Sequence, residues 1–407
     1  MKNTRLFKKT VIASALALAS TQTFAAGFQL NAQSATGLGR AFAGDAVIAD
    51  NASVMARNSA AMALFDSHQF SGGVNVINTD ISVKDISYKM SPLVGGATVP
   101  VDDAKNSSST PVPNIYYIHR LNDKIALGAG IYSNFGTKNN FEDDFGAGVF
   151  GGTTEISTVN YALSASYRIN EQLSVGAGLD IVTGSGKMSR THNVSLIGNV
   201  LEIDANGTGY GFNVGTVYEV DENNRFGLSY HYSPEVKAKG TVKIGGVDYD
   251  SVGLPLPDML EFSGYHKLEG TKFAVHYSAQ WIGWSVFDKL ETNTGREIKD
   301  YEWKDGYHIS LGGTYYMNEA IAFRAGYMYD TAAQDKITSI SVPDSDRQWF
   351  SAGMSYSVEK HTFDVGVTYL LGKDVSVTDT NSTLVETVTA TTHANAILAG
   401  VQYSYSF

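Results

Sequence analysis

The chain has no cysteine among its 407 residues. That excludes a disulfide framework, a thiolate metal site and a cysteine nucleophile. Charge is also scarce, at 17% Asp, Glu, Lys and Arg, below the roughly 25% of an average soluble domain. What charge there is leans acidic, with 41 acids against 30 bases and a net of -11. A nucleic-acid partner needs a basic footprint, so none is expected. Long apolar runs are missing past the N-terminus, which excludes a bundle of membrane helices, each needing about 20 apolar residues. Catalytic signatures are missing as well. The nine histidines are scattered without HExxH spacing, there is no GxSxG, and Gly151-Gly152 and Gly245-Gly246 fall in predicted loops. Without a strand–loop–helix context such glycines cradle no phosphate. The chain is therefore read as no enzyme, with no catalytic residue, metal site or cofactor.

What the chain has is 41 glycines, 23 tyrosines and 19 phenylalanines. Few charges, many aromatics and no long apolar run fit a β-barrel whose residues alternate between lipid and lumen.

The N-terminus carries Lys2, Arg5, Lys8 and Lys9, then a short apolar run from Val11 to Ala19, then Thr23-Phe24-Ala25. This is the pattern of a secretory signal peptide over residues 1–25, since the apolar run is too short to span a bilayer. Its removal takes four positive charges away and moves the net charge from -11 to -15. Position 26 is alanine, so no lipid is attached there.

From about residue 68 the sequence alternates with a period of two, the strand period. Ala399, Val401, Tyr403, Tyr405 and Phe407 share one face, with Gln402, Ser404 and Ser406 opposite. Phe363, Val365, Val367, Tyr369 and Leu371 repeat the pattern, as do Leu173, Val175, Ala177, Leu179 and Ile181. Tight turns near 121–123, 170–171, 221–224, 268–270, 318–319 and 359–360 alternate with long polar connections near 86–112, 136–154, 191–206, 240–257, 284–302, 331–345 and 374–390. Six turns and seven loops join fourteen strands. Short turns on one side and long loops on the other are the outer-membrane pattern. The fold class is therefore all-β membrane: a 14-stranded antiparallel transmembrane β-barrel over 68–407. Tyrosines near strand ends (Tyr116, Tyr167, Tyr218, Tyr232, Tyr315, Tyr316, Tyr329) suit an interfacial girdle. Alternation also turns the charges Arg168, Asp180, Glu261, Arg324, Asp330 and Asp364 inward.

Residues 26–67 lack alternation and are rich in alanine, glycine and small polar residues. Such a stretch cannot lie in lipid and is too apolar for a disordered tail. It is read as a hatch, or plug, folded inside the lumen, with Arg40, Asp45, Asp50 and Arg57 available to pair with the inward charges.

The stretches AGFQLN, GLGRAFAG and IADNASVMARNSA, with SVPDSDRQWFSAGMSY, YEWKDGYHISLGGTYY and FGAGVFGGTTEIS, resemble the long-chain fatty acid transporters of Gram-negative outer membranes (FadL-type). The likeness covers nearly the whole chain from Ala26. It implies passive uptake through a plugged barrel: capture at external loops, an internal site beside the hatch, and lateral release at an inward kink in the third strand. The family's Asn-Pro-Ala hatch motif corresponds to Asn58, Ser59 and Ala60, so the proline is absent; serine there can cap a helical turn. Phe28 falls in the hatch segment that reaches toward ligand in the family. The kink corresponds to Asn134, Phe135 and Gly136, glycine being apt for a bend. Arg190 and Lys304 correspond to the cations that meet the ligand carboxylate. The connection near 191–206 is short for the family, which implies either weaker initial capture or capture at the next external loop, 240–257, with Val252, Leu254, Pro255, Leu256 and Pro257.

The expected partners are a long-chain fatty acid or similar hydrophobic ligand and the lipid of the outer membrane, with the chain acting as a monomer. Three other readings stay open at this point: uptake of aromatic hydrocarbons, a surface receptor or adhesin on which phage could dock, and an open porin.

Overall fold

The computed structural model describes residues 27–194 and 197–407, so the expected leader lies outside the described residues. The alternating segments form one closed antiparallel barrel of 14 staves. In chain order these are β1 Gln69–Lys89, β2 Ala104–Arg120, β3 Ile125–Tyr132 continued by Gly136–Asn140, β4 Thr153–Arg168, β5 Leu173–Thr191 and β6 Asn199–Glu219. They continue with β7 Asn224–Tyr232 extended by Val236–Ile244, β8 Met259–Lys267 preceded by Ser251–Leu254, β9 Phe273–Ile282 and β10 Gly306–Tyr316. The last are β11 Ile321–Asp330, β12 Arg347–Val358, β13 His361–Gly372 continued by Val375–Asn381, and β14 Glu386–Ser406. The first and last staves pair from Gln69↔Ser406 onward, which closes the barrel.

Burial runs inside out. Leu163, Leu179, Ile309 and Val401 are 56–70% exposed, while Thr368, Ser263 and His276 on the opposite parity are fully buried. Only a surrounding apolar solvent makes that arrangement favourable, because the wall's apolar face must be covered by something other than water. The girdle reading needs one correction of parity. Tyr116 faces inward, is 1% exposed and donates its hydroxyl to Gln33 O at 2.9 Å. Tyr316 also turns inward, to the Tyr265 hydroxyl at 2.9 Å.

Several staves far exceed the roughly 9–11 residues a tilted strand needs to cross the bilayer. β1, β6 and β14 have 21 residues each. The excess lies at the end carrying the long connections. Those connections are shorter than the sequence pattern implies. The one between β5 and β6 shrinks to 192–198, and much of 240–257 is strand. Polar residues on both faces hid the strand period in these stretches, because neither face there meets lipid.

The N-terminal segment lies inside the barrel. Every residue from Gly27 to Ile48 is buried. Its backbone carbonyls take hydrogen bonds from staves all round the wall: Ala32 from Asn75 (2.6 Å), Leu38 from Thr368 (3.1 Å) and Phe42 from Ser278 (3.2 Å). Inward glycines permit this closeness. A Cβ on Gly366 would collide with Ala35 O, and one on Gly176 with the Ser59–Ala60 backbone. Ion pairs tie the segment to the wall. Arg40 holds Asp45 (2.5 Å) and Asp50 (2.9 Å), Arg57 meets Glu261 (3.4 Å), and Asp50 meets Arg324 (3.3 Å). Arg324 in turn reaches Asp364 at 3.8 Å.

The short turns within the segment follow from side-chain caps. The 3-10 turn Ser59–Leu64 is capped by Asn58, whose side chain accepts from Ala60 N at 3.0 Å. Asparagine is a strong N-cap, so the cap falls there and not on Ser59. Ser59 occupies the first helical position, where its hydroxyl is buried without a partner.

Candidate ligand cavity and lateral opening

The third stave breaks after Tyr132 and resumes at Gly136. Between these points Phe135 leaves the wall and bridges Gln29 of the N-terminal segment. Gly136 N donates to Phe28 O at 2.7 Å, and Leu30 N donates to Asn134 O at 2.6 Å. The Gln33 side chain adds a bond to the Asn134 amide oxygen at 3.1 Å. Thr158 of β4 holds the other side of the kink, donating from N and Oγ1 to Phe135 O at 3.0 Å each. Gly136 is not in the left-handed region, so the inward path owes more to these hydrogen bonds than to glycine's freedom.

The inward path leaves a gap in the wall. The β2–β3 ladder stops at Ile115↔Ile131, whereas β2 stays paired to β1 as far as Val83↔Ala104. Above the gap one side-chain bond crosses, from Asn106 to Asn139 at 2.7 Å. Pro111 and Pro113 sit on β2 along this unpaired stretch. Two residues apart, they place their missing donors on the same side of the strand. Proline is tolerated in a sheet at such an edge, where no ladder bond is lost.

Inside the barrel, Phe28 is enclosed by rings. Its centroid lies 4.6 Å from Trp284, 5.2 Å from Phe287, 5.7 Å from Trp303 and 6.4 Å from Phe135. The aliphatic side chains of Val182, Met188, Leu254, Leu256 and Met259 extend the same apolar cluster. The indole N–H groups of Trp284 and Trp303 are buried here without a partner. A buried unpaired donor costs about 1–3 kcal/mol. Val252, Leu254 and Leu256, expected in an external capture groove, line this interior instead, at 7% exposure or less.

The two cations named from the sequence sit differently. Arg190 is buried near the end of β5, donating to Thr153 O (2.6 Å), Ser189 O (2.7 Å) and Thr154 Oγ1 (2.6 Å). Lys304 lies half-exposed and pairs with Asp335 at 3.3 Å. Among the described residues no direct contact joins the two. The lysine closer to Arg190's surroundings is Lys299. It pairs with Asp379 at 2.5 Å and lies 5.7 Å from the centre of the Tyr301 ring, and both Asp379 and Tyr301 are within electrostatic reach of Arg190.

The Pro343-Asp344-x-Asp346-Arg347 motif builds a loop. Asp344 accepts from Ala333 N and Gln334 N and pairs with Arg347. Asp346 accepts from Ala332 N and the Tyr329 hydroxyl. Burial alone would push the Asp346 carboxyl up, but those donors and Lys373 hold it below the usual carboxylate range.

Sequence reading missed Trp284, Phe287, Lys299, Tyr301 and Trp303. The available signal is compositional: the connection near 284–302 reads as polar, yet it carries three aromatic side chains and is followed at once by Trp303. Among the described residues there is no cluster of histidines and acids fit to hold a metal ion.

The chain matches the sequence model of a family described as "Outer membrane protein transport protein (OMPP1/FadL/TodX)" over residues 16–407. It is 34% identical to a "Long-chain fatty acid transport protein" of Escherichia coli O6:H1, across 100% of both chains. It is also 34% identical to "Outer membrane protein P1" of Haemophilus influenzae, covering 98% of this chain and 99% of that one. Among solved structures, a Pseudomonas aeruginosa FadL homologue aligns with a TM-score of 0.83 at 21% identity, over 94% of this chain and 100% of that one. The Pseudomonas putida toluene transporter TodX aligns with a TM-score of 0.66 at 18% identity, over 95% and 100%.

Proposed function

Because the chain belongs to the outer membrane protein transport family (OMPP1/FadL/TodX), and is thus an outer-membrane transporter of hydrophobic compounds and not an enzyme, we propose that its cargo is a long-chain fatty acid. The observation that carries this reading is a buried guanidinium, Arg190, at the rim of an apolar and aromatic cluster. A fatty acid is ionised at neutral pH, so its head needs charge-assisted donors. Its tail needs apolar walls. About 16 carbons at about 0.8 kcal/mol per buried CH₂ contribute on the order of 10 kcal/mol before ordering costs.

In this proposal residues 26–67 act as the hatch, and Phe28 holds the place of the ligand in the aromatic box. An arriving tail competes with Phe28 for Trp284, Phe287 and Trp303. Moving Phe28 breaks the hydrogen bonds that fasten Asn134 and Gly136 to the hatch, and the tail leaves sideways through the gap beside Pro111 and Pro113. Asn58, Ser59 and Ala60 anchor the far part of the hatch against β5 and β6 during this change. No energy source is needed, since the tail exchanges one apolar surrounding for another.

The aromatic box supports a second reading, uptake of aromatic hydrocarbons, which need rings but no cation. Equilibrium binding to the purified protein in lipid nanodiscs separates the two. Arg190→Ala should weaken oleate at least tenfold, the scale of a lost hydrogen bond to a charged group. Tight toluene binding with no oleate binding would sink the fatty-acid reading.

A further inference from the structure

Asp180 is a buried carboxylate with no cation of its own. It faces the lumen from the middle of β5, is 4% exposed, and forms no ion pair among the described residues. Each of its oxygens receives one hydrogen bond, Oδ1 from the Tyr132 hydroxyl at 3.1 Å and Oδ2 from Asn213 Nδ2 at 3.2 Å. An ionised carboxylate has about four acceptor sites, so half of its capacity stays open. The neighbouring charges do not serve it. Arg40, Arg57 and Arg324 are shared among Asp45, Asp50, Glu261 and Asp364. That network already sets four carboxylates against three guanidinium groups, and Asp180 adds a fifth carboxylate to the same lumen. A buried charge without a counter-ion is strongly destabilising.

The side chains around Asp180 carry a second, independent sign. Asn160 Oδ1, Ser164 Oγ and Asn213 Oδ1 are all buried without a hydrogen-bond partner, on residues 6%, 6% and 1% exposed. The ladders explain why they meet. Ser164 pairs with Gly178 and Gly178 with Asn213, so two polar residues flank a glycine across three staves. Asp180 follows two residues on and shares their face. Asn160 lies one diagonal step from it on β4. A Cβ on Gly178 would run into Ser164 Oγ and the Asn213 amide. Both side chains therefore lean over the glycine, into the room a side chain there would take. Which end of the Asn213 amide is oxygen depends on what it meets. Turned about, the amide places Oδ1 where Nδ2 stands, 3.2 Å from Asp180 Oδ2. Two oxygens that bind one cation at about 2.3 Å and at a right angle stand about 3.3 Å apart.

We propose that Asp180, Asn213 and Ser164 bind a small monovalent cation of the sodium type on the inner wall, below the break in the third stave. One carboxylate among neutral oxygens matches a single positive charge, and an all-oxygen set suits a hard ion. A calcium ion takes 6–8 oxygens, as a rule with several carboxylates among them. The imidazole opposite Asn213, His231, is turned to Arg57 O at 3.0 Å, so no nitrogen ligand recruits a softer metal. Asp180 Oδ1 stays with Tyr132, the last residue of β3 before its break. The cation thereby steadies the lower end of the kink as well as the charge. Its binding does not depend on what the cargo is.

The test heats the full mature protein in lipid nanodiscs across a sodium chloride series, with choline chloride holding the ionic strength constant. Sodium should raise the unfolding temperature in a saturable way, as a ligand of the folded state does. The protein should also broaden the sodium NMR resonance. Asp180→Asn keeps an acceptor for Tyr132 and offers Asn213 an amide donor in place of the ion. It should abolish both sodium responses. Ser164→Ala removes one neutral ligand and should raise the half-saturating sodium concentration severalfold, which keeps the proposal testable if Asp180→Asn does not fold. Equal unfolding temperatures in sodium and choline across the series would mean that water or a proton satisfies Asp180, and would overturn the proposal. A sodium response that survives Asp180→Asn overturns it too, as does a response to calcium with none to sodium.

Discussion

Gln29 and Phe135 face each other in an antiparallel bridge, flanked by Gly136 N to Phe28 O at 2.7 Å and Leu30 N to Asn134 O at 2.6 Å. The bridge lies between those two bonds, so it is a pair of the non-hydrogen-bonded kind, in which Cα atoms stand about 4.5 Å apart. A kinked wall strand thus completes its pairing with the chain inside the lumen and not with the neighbouring stave.

That spacing falls within the range of a disulfide, about 4.4–6.8 Å. With no native cysteine to compete, Gln29→Cys with Phe135→Cys should form a bond in the oxidising periplasm. Cells carrying the pair should take up oleate poorly, and a reductant should restore uptake. Full uptake by the oxidised protein would separate gate movement from transport.

Pro111 and Pro113 keep the edge of β2 short of donors along the gap. Changing both to threonine supplies two N–H groups and raises strand propensity. The wall should then close more readily against β3. Oleate binding in nanodiscs should stay near the wild-type value while uptake falls severalfold. Equal uptake by the two proteins would place the exit elsewhere.

Arg57 lies between Asp45 (3.5 Å) and Glu261 (3.4 Å), all three nearly inaccessible. Arg57→Ala leaves the buried Glu261 carboxylate without its cation, while Asp45 keeps Arg40, a loss of about 3–5 kcal/mol. The wall's own ladders do not depend on it, so the barrel should still form. The cost should appear as a loosened N-terminal segment, read as raised ion conductance in planar bilayers. A quiet, fully sealed variant would show that hydrogen bonds alone hold the segment.

Asn58 caps the turn Ser59–Leu64 and also bonds Ala46 O (2.8 Å) and Thr216 O (3.1 Å). Asn58→Ala should cost at least about 1 kcal/mol, the usual value of a cap. Ser59→Pro should behave in the opposite way. Position 59 is the first of the turn, and Asn58 before it is extended at φ -152 and ψ 107, which is where a residue preceding proline belongs. The expected gain is about 0.4–1 kcal/mol, measured as a rise in the unfolding temperature on a heat-modifiability gel. A fall would mean the Ser59 amide is needed.

Much of the wall was legible because lipid imposes a simple rule on each residue. Val365 and Asp364 are neighbours in sequence and on opposite faces, and nothing beyond the strand period is needed to assign them. The family resemblance added the positions of Phe135 and Arg190. The projecting strand ends were not legible, since polar residues on both faces erase the period. Nor was Lys299 beside Arg190's neighbours, because its placement depends on how the 284–305 connection folds back over the cavity, and no local rule encodes that.

By itself, then, the order of residues determined the barrel, its strand number, the chain segment set apart from it and the absence of catalytic chemistry. Each of these follows from local periodicity and composition, which act on residues near one another in the chain. Only the tertiary structure decided that Phe28 sits among Trp284, Phe287 and Trp303, that Phe135 pairs with Gln29, and that Lys304 stands apart while Lys299 joins Asp379. Those contacts link residues tens to hundreds of positions apart. They are set by barrel closure, which brings remote staves round a common lumen and obliges whatever is buried there to find its partners across it.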